Sequence, residues 1–331
     1  MTQSPGPVRW GIVGTANIAR AQFLPGLREA GGGSAELVAS RDRAKADAFA
    51  AANGVGAGIA DYAALVESPH VDAVYVALPN TLHAEWTIRA LLGGKAVLCE
   101  KPLCTSAAQA REVLDVAATA AAPLWEAFVF PFHAQHRRLT GLLADGAIGV
   151  PAEIASVFHF PLSSPANIRM DAALGGGALA DVGCYPVRLA LELFGANGAR
   201  AEACSALTNG DVEVDAAGIV TFGARRLLLS CGFRRSYDTF TSVLGSAGQV
   251  RLTNPFHPGP ADTLSLLRPK AEPVIERPTT DERSFTAAIR HIHAVLRGET
   301  GPEHTAGELS LPAARALEQL QRLAQPAGKR R

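Results

Sequence analysis

Lys101 directly follows the short apolar run 96–99, within the sequence Glu100-Lys101-Pro102. We expect this run to be a strand of a parallel sheet, and ligands of such sheets bind beyond the carboxyl ends of the strands. Lys101 is then placed where a ligand would lie, and a lysine there can donate a proton or orient an oxygen. A surface lysine without function is the alternative that this motif alone leaves open.

A second candidate lies in the other half of the chain, after Gly175-Gly176-Gly177. Asp181, Tyr185 and Arg188 follow one another at spacings of four and three residues, among apolar neighbours. In a helix these three side chains share one face, so they form a polar stripe on an otherwise buried helix. The alternative is a tyrosine that is hydrogen-bonded to an aspartate in the core. Pro186 complicates the helix, because proline prefers the first turn and otherwise kinks the helix.

A glycine-containing turn follows the first predicted strand, and its residues are Gly14-Thr15-Ala16-Asn17-Ile18-Ala19. Aligned to the dinucleotide fingerprint G-x-G-x-x-G, its three small positions are Gly14, Ala16 and Ala19. Gly14 permits the tight turn, Ala16 still allows a pyrophosphate to approach, and Ala19 allows contact between helix and strand. An ordinary turn between a strand and a helix is the alternative.

The second predicted strand ends in Val38-Ala39-Ser40-Arg41, where NAD-binding folds usually place an acidic residue for the ribose hydroxyls. A hydroxyl and a guanidinium suit a 2′-phosphate instead, because arginine offers bidentate charged hydrogen bonds. Asp42 follows and could contact a ribose, although its position suits a helix N-cap better. These residues favour NADP(H) over NAD(H) as the cofactor.

The first half of the chain alternates predicted strands with predicted helices. Its strands are 8–13, 35–39, 72–78, 96–99 and 123–130. Its helices are expected from about residue 18 with an interruption at Pro25, from Asp42 to Gly54, over 82–92, and after a capping box at Ser106 and Gln109. This alternation argues for an α/β fold with a doubly wound parallel sheet.

After about residue 150 the predicted strands follow one another with short turns. They are 152–160, 213–222, 226–233, 239–244, 249–252 and 263–267, with helices at 179–194, 285–296 and 311–323. Consecutive strands suggest a largely antiparallel sheet. We therefore predict a dinucleotide-binding domain over 1–125 and an α+β domain over 126–331, with the site in the crevice between them.

Composition excludes several other classes of protein. Lys+Arg and Asp+Glu each total 31, so the formal net charge is zero, which argues against nucleic-acid and membrane partners. The chain has five cysteines and no Cys-x-x-Cys pair, which is typical of reduced thiols in a cytoplasmic protein. His133 and His136 have the spacing of a histidine pair, but no further ligands accompany them, and we expect no metal site.

Taken together, the motifs resemble the glucose–fructose oxidoreductase / inositol dehydrogenase (Gfo/Idh/MocA) family. They are Gly14-Thr15-Ala16, Ser40-Arg41, Leu78-Pro79-Asn80 with His83, Glu100-Lys101-Pro102, and the glycine run with Asp181, Gly183 and Tyr185. The resemblance implies an N-terminal Rossmann domain with a parallel sheet and a C-terminal α+β domain with a large, mostly antiparallel open sheet. It also implies a homodimer or homotetramer formed through that second sheet.

The resemblance further implies roles for individual residues. Lys101 and Tyr185 would flank the reacting carbon, with Asp181 supporting them. The cofactor-binding residues would be Gly14, Thr15, Ala16, Asn17, Ile18, Ser40, Arg41, Leu78, Pro79, Asn80, His83, Glu100 and Lys101. The substrate-binding residues would be Lys101, Phe160, Asn167, Arg169, Asp181 and Tyr185.

Many members of the family have histidine at the Tyr185 position and aspartate at the Arg188 position, and this chain departs from that pattern at both. Two subgroups of the family fit these departures. These departures argue against inositol dehydrogenase activity. NADP-dependent aldose (xylose-type) dehydrogenases are favoured by the sequences Glu126-Ala127-Phe128 and Phe160-Pro161-Leu162. Nucleotide-sugar 3-ketoreductases are favoured by the sequences Tyr185-Pro186-Val187-Arg188 and Arg235-Ser236-Tyr237.

Our hypothesis is an NADP(H)-dependent oxidoreductase that moves hydride between nicotinamide C4 and a carbinol or carbonyl carbon of a sugar or sugar derivative, of the aldose dehydrogenase type. Tyr185 would pass the hydroxyl proton, and Lys101 would keep the phenol acidic, because a tyrosine with a pKa of about 10 is a poor base at neutral pH. The alternatives are a nucleotide-activated keto-sugar 3-ketoreductase of deoxysugar biosynthesis and a catalytically silent cofactor-binding sensor.

Overall fold

The structure, a computed structural model, describes residues 6–120, 122–162, 164, 166–278 and 282–324. Its contacts divide the chain into two compact units. Within the described ranges, the first comprises residues 6–104, 108–129 and 283–307, and the second comprises 105–107, 130–282 and 308–324. The domain boundary between residues 125 and 126 stays a prediction.

The first unit contains a six-stranded parallel sheet of order β3-β2-β1-β4-β5-β6. Its strands are β1 (Val8–Val13), β2 (Gly33–Ala39), β3 (Ala57–Ile59), β4 (Ala73–Val76), β5 (Ala96–Cys99) and β6 (Leu124–Glu126). The predicted doubly wound parallel sheet is confirmed. The sequence did not predict β3, because three residues of alanine, glycine and isoleucine carry too little periodicity to be distinguished from a loop.

The second unit contains an eight-stranded sheet of order β14-β13-β12-β11-β7-β10-β9-β8. Its strands are β7 (Pro151–His159), β8 (Ala199–Asn209), β9 (Val212–Phe222), β10 (Arg225–Gly232), β11 (Asp238–Gly245), β12 (Gly248–Thr253), β13 (Leu264–Leu267) and β14 (Val274–Glu276). The β7–β10 pair is parallel and the other neighbours are antiparallel. The predicted mostly antiparallel sheet is therefore confirmed.

The helices agree with the predicted periodicity in most places. They are α1 (Leu24–Ala30), α2 (Arg43–Asn53), α3 (Tyr62–Val66), α4 (His83–Leu92), α5 (Ala107–Ala120), α6 (Ala134–Ala144), α7 (Cys184–Phe194), α8 (Ser284–Leu296) and α9 (Ser310–Ala324). Helices α3 and α6 were not predicted. None of the helices in the described ranges is long and apolar enough to cross a membrane.

Local signals explain where several elements begin and end. Asp42 caps α2 by accepting a hydrogen bond from the backbone N–H of Lys45, and Gly54 ends the helix in a left-handed conformation at a φ of 68°. Pro25 lies in the first turn of α1, directly after the π-helical turn Ala19–Phe23. The predicted interruption at Pro25 is therefore a change of helix type, because proline lacks the N–H that an interior helical position needs.

Candidate active site

The turn after β1 leaves room for another group to approach the backbone. Gly14 has a φ of +104°, and a Cβ there would lie 2.3 Å from a backbone carbonyl oxygen of the loop after β4. Gly14 is buried, Thr15, Ala16 and Ile18 are partly exposed, and a helical turn begins at the exposed Asn17. Unpaired N–H groups at a helix start favour an anion such as a pyrophosphate. The turn therefore fits a dinucleotide.

The loop after β2 carries one guanidinium that is available for a ligand. Ser40 is buried, and its hydroxyl accepts a hydrogen bond from the N–H of Asp42 at 3.3 Å. The Asp42 carboxylate is engaged as the cap of α2, at 3.2 Å from the N–H of Lys45. Arg41 is exposed and forms no ion pair with any residue that the structure describes. This arrangement fits a phosphate at Arg41 better than a ribose at Asp42.

Two buried side chains hold the loop that carries the partly exposed Lys101. The hydroxyl of Tyr75, on β4, donates to Oε1 of Glu100 at 2.6 Å, and Oε2 of Glu100 lies 3.3 Å from the N–H of Lys101. Oε1 of Glu126, at the end of β6, accepts from the N–H of Leu103 at 2.8 Å. Because Tyr75 and Glu126 belong to the strands on either side of β5, the sheet itself fixes the position of this loop.

His83, the first residue of α4, links two loops of the first unit. Its Nε2 lies 2.8 Å from the carbonyl oxygen of Leu78, and its Nδ1 lies 2.7 Å from that of Pro102. The side chain is 1% exposed, and burial lowers the pKa of His83 against the effect of the two carbonyls. Pro79 and Asn80 lie between Leu78 and His83 in the chain, at the start of the 3₁₀ turn Asn80–Leu82. Both ring nitrogens of His83 therefore face the backbone of these loops, and its role toward the cofactor stays a prediction.

In the second unit, Tyr185 lies in the first turn of α7 within a cluster of aromatic rings. Its ring centroid is 5.2 Å from that of Phe256 and 5.4 Å from that of Phe158, and its side chain is 7% exposed. Its hydroxyl lies 3.5 Å from Nε2 of His257. Packing therefore holds the ring of Tyr185, and His257 is within hydrogen-bond reach of its oxygen.

The helix around Tyr185 changes type along its length. A π-helical turn, Leu179–Gly183, precedes α7, so Pro186 lies in the first turn of the α-helix, where its missing N–H is tolerated. Arg188 is 1% exposed and forms an ion pair with Glu192 at 2.8 Å. Arg188 is therefore separate from Asp181 and Tyr185 in the predicted polar stripe, because its ion-pair partner lies on the same helix.

Asp181 is brought together with three predicted substrate-binding residues. Nε of Arg169 donates to Oδ2 of Asp181 at 2.7 Å, and the Arg169 guanidinium carbon lies 5.9 Å from the ring centroid of Phe160. Oδ1 of Asn167 accepts from the N–H of Arg169 at 3.1 Å and caps a short 3₁₀ turn. The structure therefore presents a carboxylate, a guanidinium and an aromatic ring on neighbouring segments of the second unit.

Close packing explains two glycines of the run before Asp181. A Cβ at Gly176 would lie 2.5 Å from the carbonyl oxygen of Arg169. Gly177 has a φ of +126°, and a Cβ there would lie 2.5 Å from Oε1 of Glu213. These two glycines therefore let the segment with Arg169 and the strand β9 approach the helix that carries Asp181.

Sequence reasoning missed three side chains that contact the predicted site residues, namely Tyr75, Glu126 in its contact with Leu103, and His257. Tyr75 and Glu126 lie within apolar strands, so their neighbours across the sheet became visible only from the strand order. His257 lies in a proline-rich turn, residues 254–260, which matches no catalytic motif. His257 could be identified only from its proximity to Tyr185, which the sequence does not show because 72 residues separate the two.

The chain is similar in sequence to oxidoreductases over most of its length. It is 36% identical over 306 residues to the dTDP-3,4-didehydro-2,6-dideoxy-alpha-D-glucose 3-reductase of Actinomadura kijaniata, covering 88% of this chain and 89% of that protein. It is 40% identical over 187 residues to the D-xylose 1-dehydrogenase (NADP(+)) 2 of Haloferax volcanii, covering 56% of this chain and 57% of that protein.

The fold is similar to the crystal structure of a 3-ketoreductase from Actinomadura kijaniata in complex with NADP and TDP-benzene. The TM-score is 0.86 at 33% identity, over 95% of this chain and 96% of that one. The model of the GFO_IDH_MocA oxidoreductase family, with an NAD-binding Rossmann fold, matches residues 8–128, and that of the GFO/IDH/MocA C-terminal domain matches residues 136–251. The predicted family is confirmed: the chain belongs to the Gfo/Idh/MocA family of oxidoreductases.

Proposed function

We propose that this chain transfers hydride between NADP(H) and a carbinol or carbonyl carbon of a sugar or sugar derivative. Membership of an oxidoreductase family supports the reaction class. One relative is named as an NADP(+) enzyme, and a solved relative is described in complex with NADP. Both relatives are named for sugar chemistry or for a keto group, which supports the substrate class.

The proposed cofactor is supported by the different environments of the two charged residues that follow β2, Arg41 and Asp42. Asp42 is engaged in capping α2, whereas Arg41 is exposed and forms no ion pair within the described residues. A ribose 2′-phosphate would receive charged hydrogen bonds from Arg41, and the turn at Gly14 suits the pyrophosphate of the same cofactor. NADP(H) is therefore the proposed cofactor, with NAD(H) bound more weakly.

The proposed roles of the catalytic residues follow from their chemistry. Bound NADPH would supply the hydride. Tyr185 donates its hydroxyl proton to the oxygen of the carbonyl that is reduced, and accepts it in the reverse direction. Lys101 holds the same oxygen with its ammonium group, and Asp181, oriented by Arg169, accepts a hydrogen bond from a sugar hydroxyl.

Two substrate classes remain candidates for this reaction. A simple aldose is supported by the xylose dehydrogenase relative, although the similarity covers 56% of this chain. A nucleotide-activated keto-sugar is supported by relatives named as 3-reductases of a dTDP-sugar, which cover 88% and 96% of this chain at 36% identity. The greater coverage favours the nucleotide-activated keto-sugar.

An absorbance assay at the nicotinamide band tests the proposal. Purified protein is incubated with NADPH and a dTDP-linked 3-keto-sugar, and separately with NADP⁺ and D-xylose, and each assay is repeated with NADH or NAD⁺. We expect turnover with the NADP(H) cofactor and a higher kcat/KM for the dTDP-linked sugar. Tight NADPH binding without turnover across a wider panel of aldoses and keto-sugars would instead support a catalytically silent sensor.

We also propose that the chain is a cytoplasmic homodimer or homotetramer that associates through the sheet of the second unit. The two edge strands of that sheet each carry an exposed apolar side chain, Leu207 on β8 at 55% and Ile275 on β14 at 63%. Exposed apolar side chains at sheet edges favour association with another chain. Light scattering of wild type and of Leu207→Glu tests this, and an unchanged monomeric mass for both contradicts it.

A further inference from the structure

His257 brings an imidazole to the hydroxyl of Tyr185. Its Nε2 lies 3.5 Å from the phenol oxygen, and the two ring centroids are 5.4 Å apart at an interplanar angle of 63°. Hydrogen bonds of this kind are often long before substrate binds and shorten in the complex. His257 is exposed, whereas Tyr185 is 7% exposed. The imidazole therefore links a nearly buried phenol with the solvent.

The loop that carries His257 is held in one conformation by a polar network. Asn254 adopts a φ of 44°, in the left-handed region that asparagine tolerates better than most residues other than glycine. Its Oδ1 accepts from the hydroxyl of Tyr237 at 2.9 Å. Its Nδ2 donates to the carbonyl oxygen of His257 at 2.5 Å and to Oδ2 of Asp262 at 3.1 Å. Asn254 therefore fixes the backbone of His257 directly.

The residue before His257 anchors the same loop in the core. The side chain of Phe256 is 0% exposed, and its ring centroid lies 5.5 Å from that of Phe130, 5.6 Å from Phe158 and 5.2 Å from Tyr185. Because Phe256 packs against Tyr185 itself, the imidazole that follows it is held beside the phenol. An exposed histidine on an unanchored loop would not keep this position.

We propose that His257 is the relay that exchanges the proton of Tyr185 with solvent during each turnover. The inference rests on the proposed reaction, in which Tyr185 is the proton donor. Histidine suits this role because it changes its protonation between pH 5 and 8. Titratable groups that contact this imidazole or its loop include the phenol of Tyr185, the phenol of Tyr237 and the carboxylate of Asp262.

The relay keeps the protons in balance. In the reducing direction, the O–H bond of Tyr185 breaks and its proton moves to the substrate oxygen, whose carbon receives the hydride. The Nε2–H bond of the His257 imidazolium then breaks, and its proton restores the phenol. Solvent reprotonates His257, which is exposed. Oxidation runs the same transfers in reverse. Without His257, the nearly buried phenolate recovers its proton only through rarer encounters with water.

A first experiment measures the pairing of the two side chains without any turnover. The full chain is labelled with ¹⁵N-histidine, and the imidazole resonance of His257 is identified as the one that His257→Gln removes. We expect Tyr185→Phe to shift this resonance and its pH titration while leaving those of His70, which is exposed in the other unit, unchanged. An unshifted His257 resonance overturns the pairing, whatever the substrate proves to be.

A second experiment measures the relay itself with the substrate that the wild type turns over. We expect His257→Gln to lower kcat by about 10- to 100-fold with KM and NADPH affinity nearly unchanged, and to enlarge the solvent isotope effect on kcat. Added imidazole should restore turnover to His257→Ala but not to the double variant that also carries Tyr185→Phe. His70→Gln is the matched control and should retain full turnover.

The outcomes separate this inference from the proposed function. Full turnover in folded His257→Gln, or imidazole rescue that also occurs without the Tyr185 hydroxyl, overturns the relay and leaves the reductase assignment intact. Absence of turnover in the wild type with every sugar tested overturns the proposed function, and the relay with it. The NMR shift then still decides whether the two side chains are paired. Circular dichroism of each variant confirms that it is folded.

Discussion

Trp10 donates the hydrogen bond of its indole N–H to Nε2 of His293 at 2.9 Å, although 283 residues separate the two in the chain. Nδ1 of His293 lies 2.9 Å from the carbonyl oxygen of Gly31. Because Nε2 accepts, the ring proton resides on Nδ1, and the imidazole is neutral. Burial lowers the pKa of His293 to about 4. The pair joins β1 to α8 within the first unit, and it requires a neutral histidine.

The stability of the protein should therefore fall in mild acid. The folded chain keeps His293 neutral down to a pKa of about 4, whereas the unfolded chain takes up this proton below about 6.5. The stabilisation is present above pH 6.5 and is lost as the pH falls toward 4, with a slope of at most about 1.4 kcal/mol per pH unit.

His293→Gln tests this expectation, because glutamine can keep both hydrogen bonds without taking up a proton. Urea unfolding between pH 4 and 7 should show a shallower loss of stability in His293→Gln than in the wild type. His70→Gln, which replaces an exposed histidine of the same unit, should leave the slope unchanged. Equal slopes for wild type and His293→Gln would contradict the assignment.

Replacing Arg41 should weaken NADPH binding selectively. Loss of charged hydrogen bonds to a 2′-phosphate corresponds to about a 10- to 100-fold weaker affinity, while NADH binding should change little. Arg43→Ala is the matched control, because Arg43 is on the same loop-to-helix segment but pairs with Asp47 at 2.8 Å. Fluorescence titration with both cofactors decides the question, and equal losses for NADPH and NADH in Arg41→Ala refute the assignment.

Lys101 and Tyr185 should behave as one catalytic unit. Tyr185→Phe keeps the aromatic packing but removes the hydroxyl, so turnover should fall on the order of 10²- to 10⁴-fold with NADPH affinity nearly intact. Lys101→Met should cost at least as much. The double variant should be little worse than the worse single one, because groups that act together lose most of their effect when either is removed. Normal turnover in folded Tyr185→Phe would falsify the catalytic role, and independent roles would multiply the losses.

Tyr75→Phe should lower turnover through the loop that carries Lys101. The substitution removes the 2.6 Å hydrogen bond to Glu100 but keeps the ring stacked on Phe23 at 4.1 Å. We expect kcat to fall about 10-fold and the free energy of unfolding to drop by about 1–2 kcal/mol. Tyr62→Phe, which replaces a tyrosine packed on Trp86 in the same unit, should change neither quantity. A kcat of Tyr75→Phe equal to that of the wild type refutes the positioning role.

None of the five cysteines should act as a nucleophile, including Cys99, Cys104 and Cys184, which the sequence places beside the proposed site. Burial raises the pKa of Cys99 and of Cys231 well above the usual range of a thiol, and raises that of Cys204 to about 11. Cys184 is buried, and its thiol lies 3.4 Å from the carbonyl oxygen of Asp181. We expect iodoacetamide at pH 7.5 to leave turnover unchanged, and Cys184→Ala to stay within a few-fold of the wild type. A thousandfold loss in folded Cys184→Ala would contradict this view.

The sequence alone determined the elements whose signals are local. Asp42 and Gly54 bound α2, the apolar run 96–99 is β5, and the glycine at position 14 marks the turn after β1. Capping, periodicity and the conformational freedom of glycine act within a few residues, so they can be read without knowing the rest of the fold. The motifs that identify the family have the same short range.

Only the tertiary structure decided which distant segments meet. Four of the eleven residues of strand β8 are alanine, which favours helices, and the pairing of β8 with β9 overrides that preference. Residues 283–307 join the first unit, where His293 reaches Trp10, and the loop of His257 reaches Tyr185. These contacts are selected by the burial of side chains far apart in the chain, and local propensity carries no information about such partners.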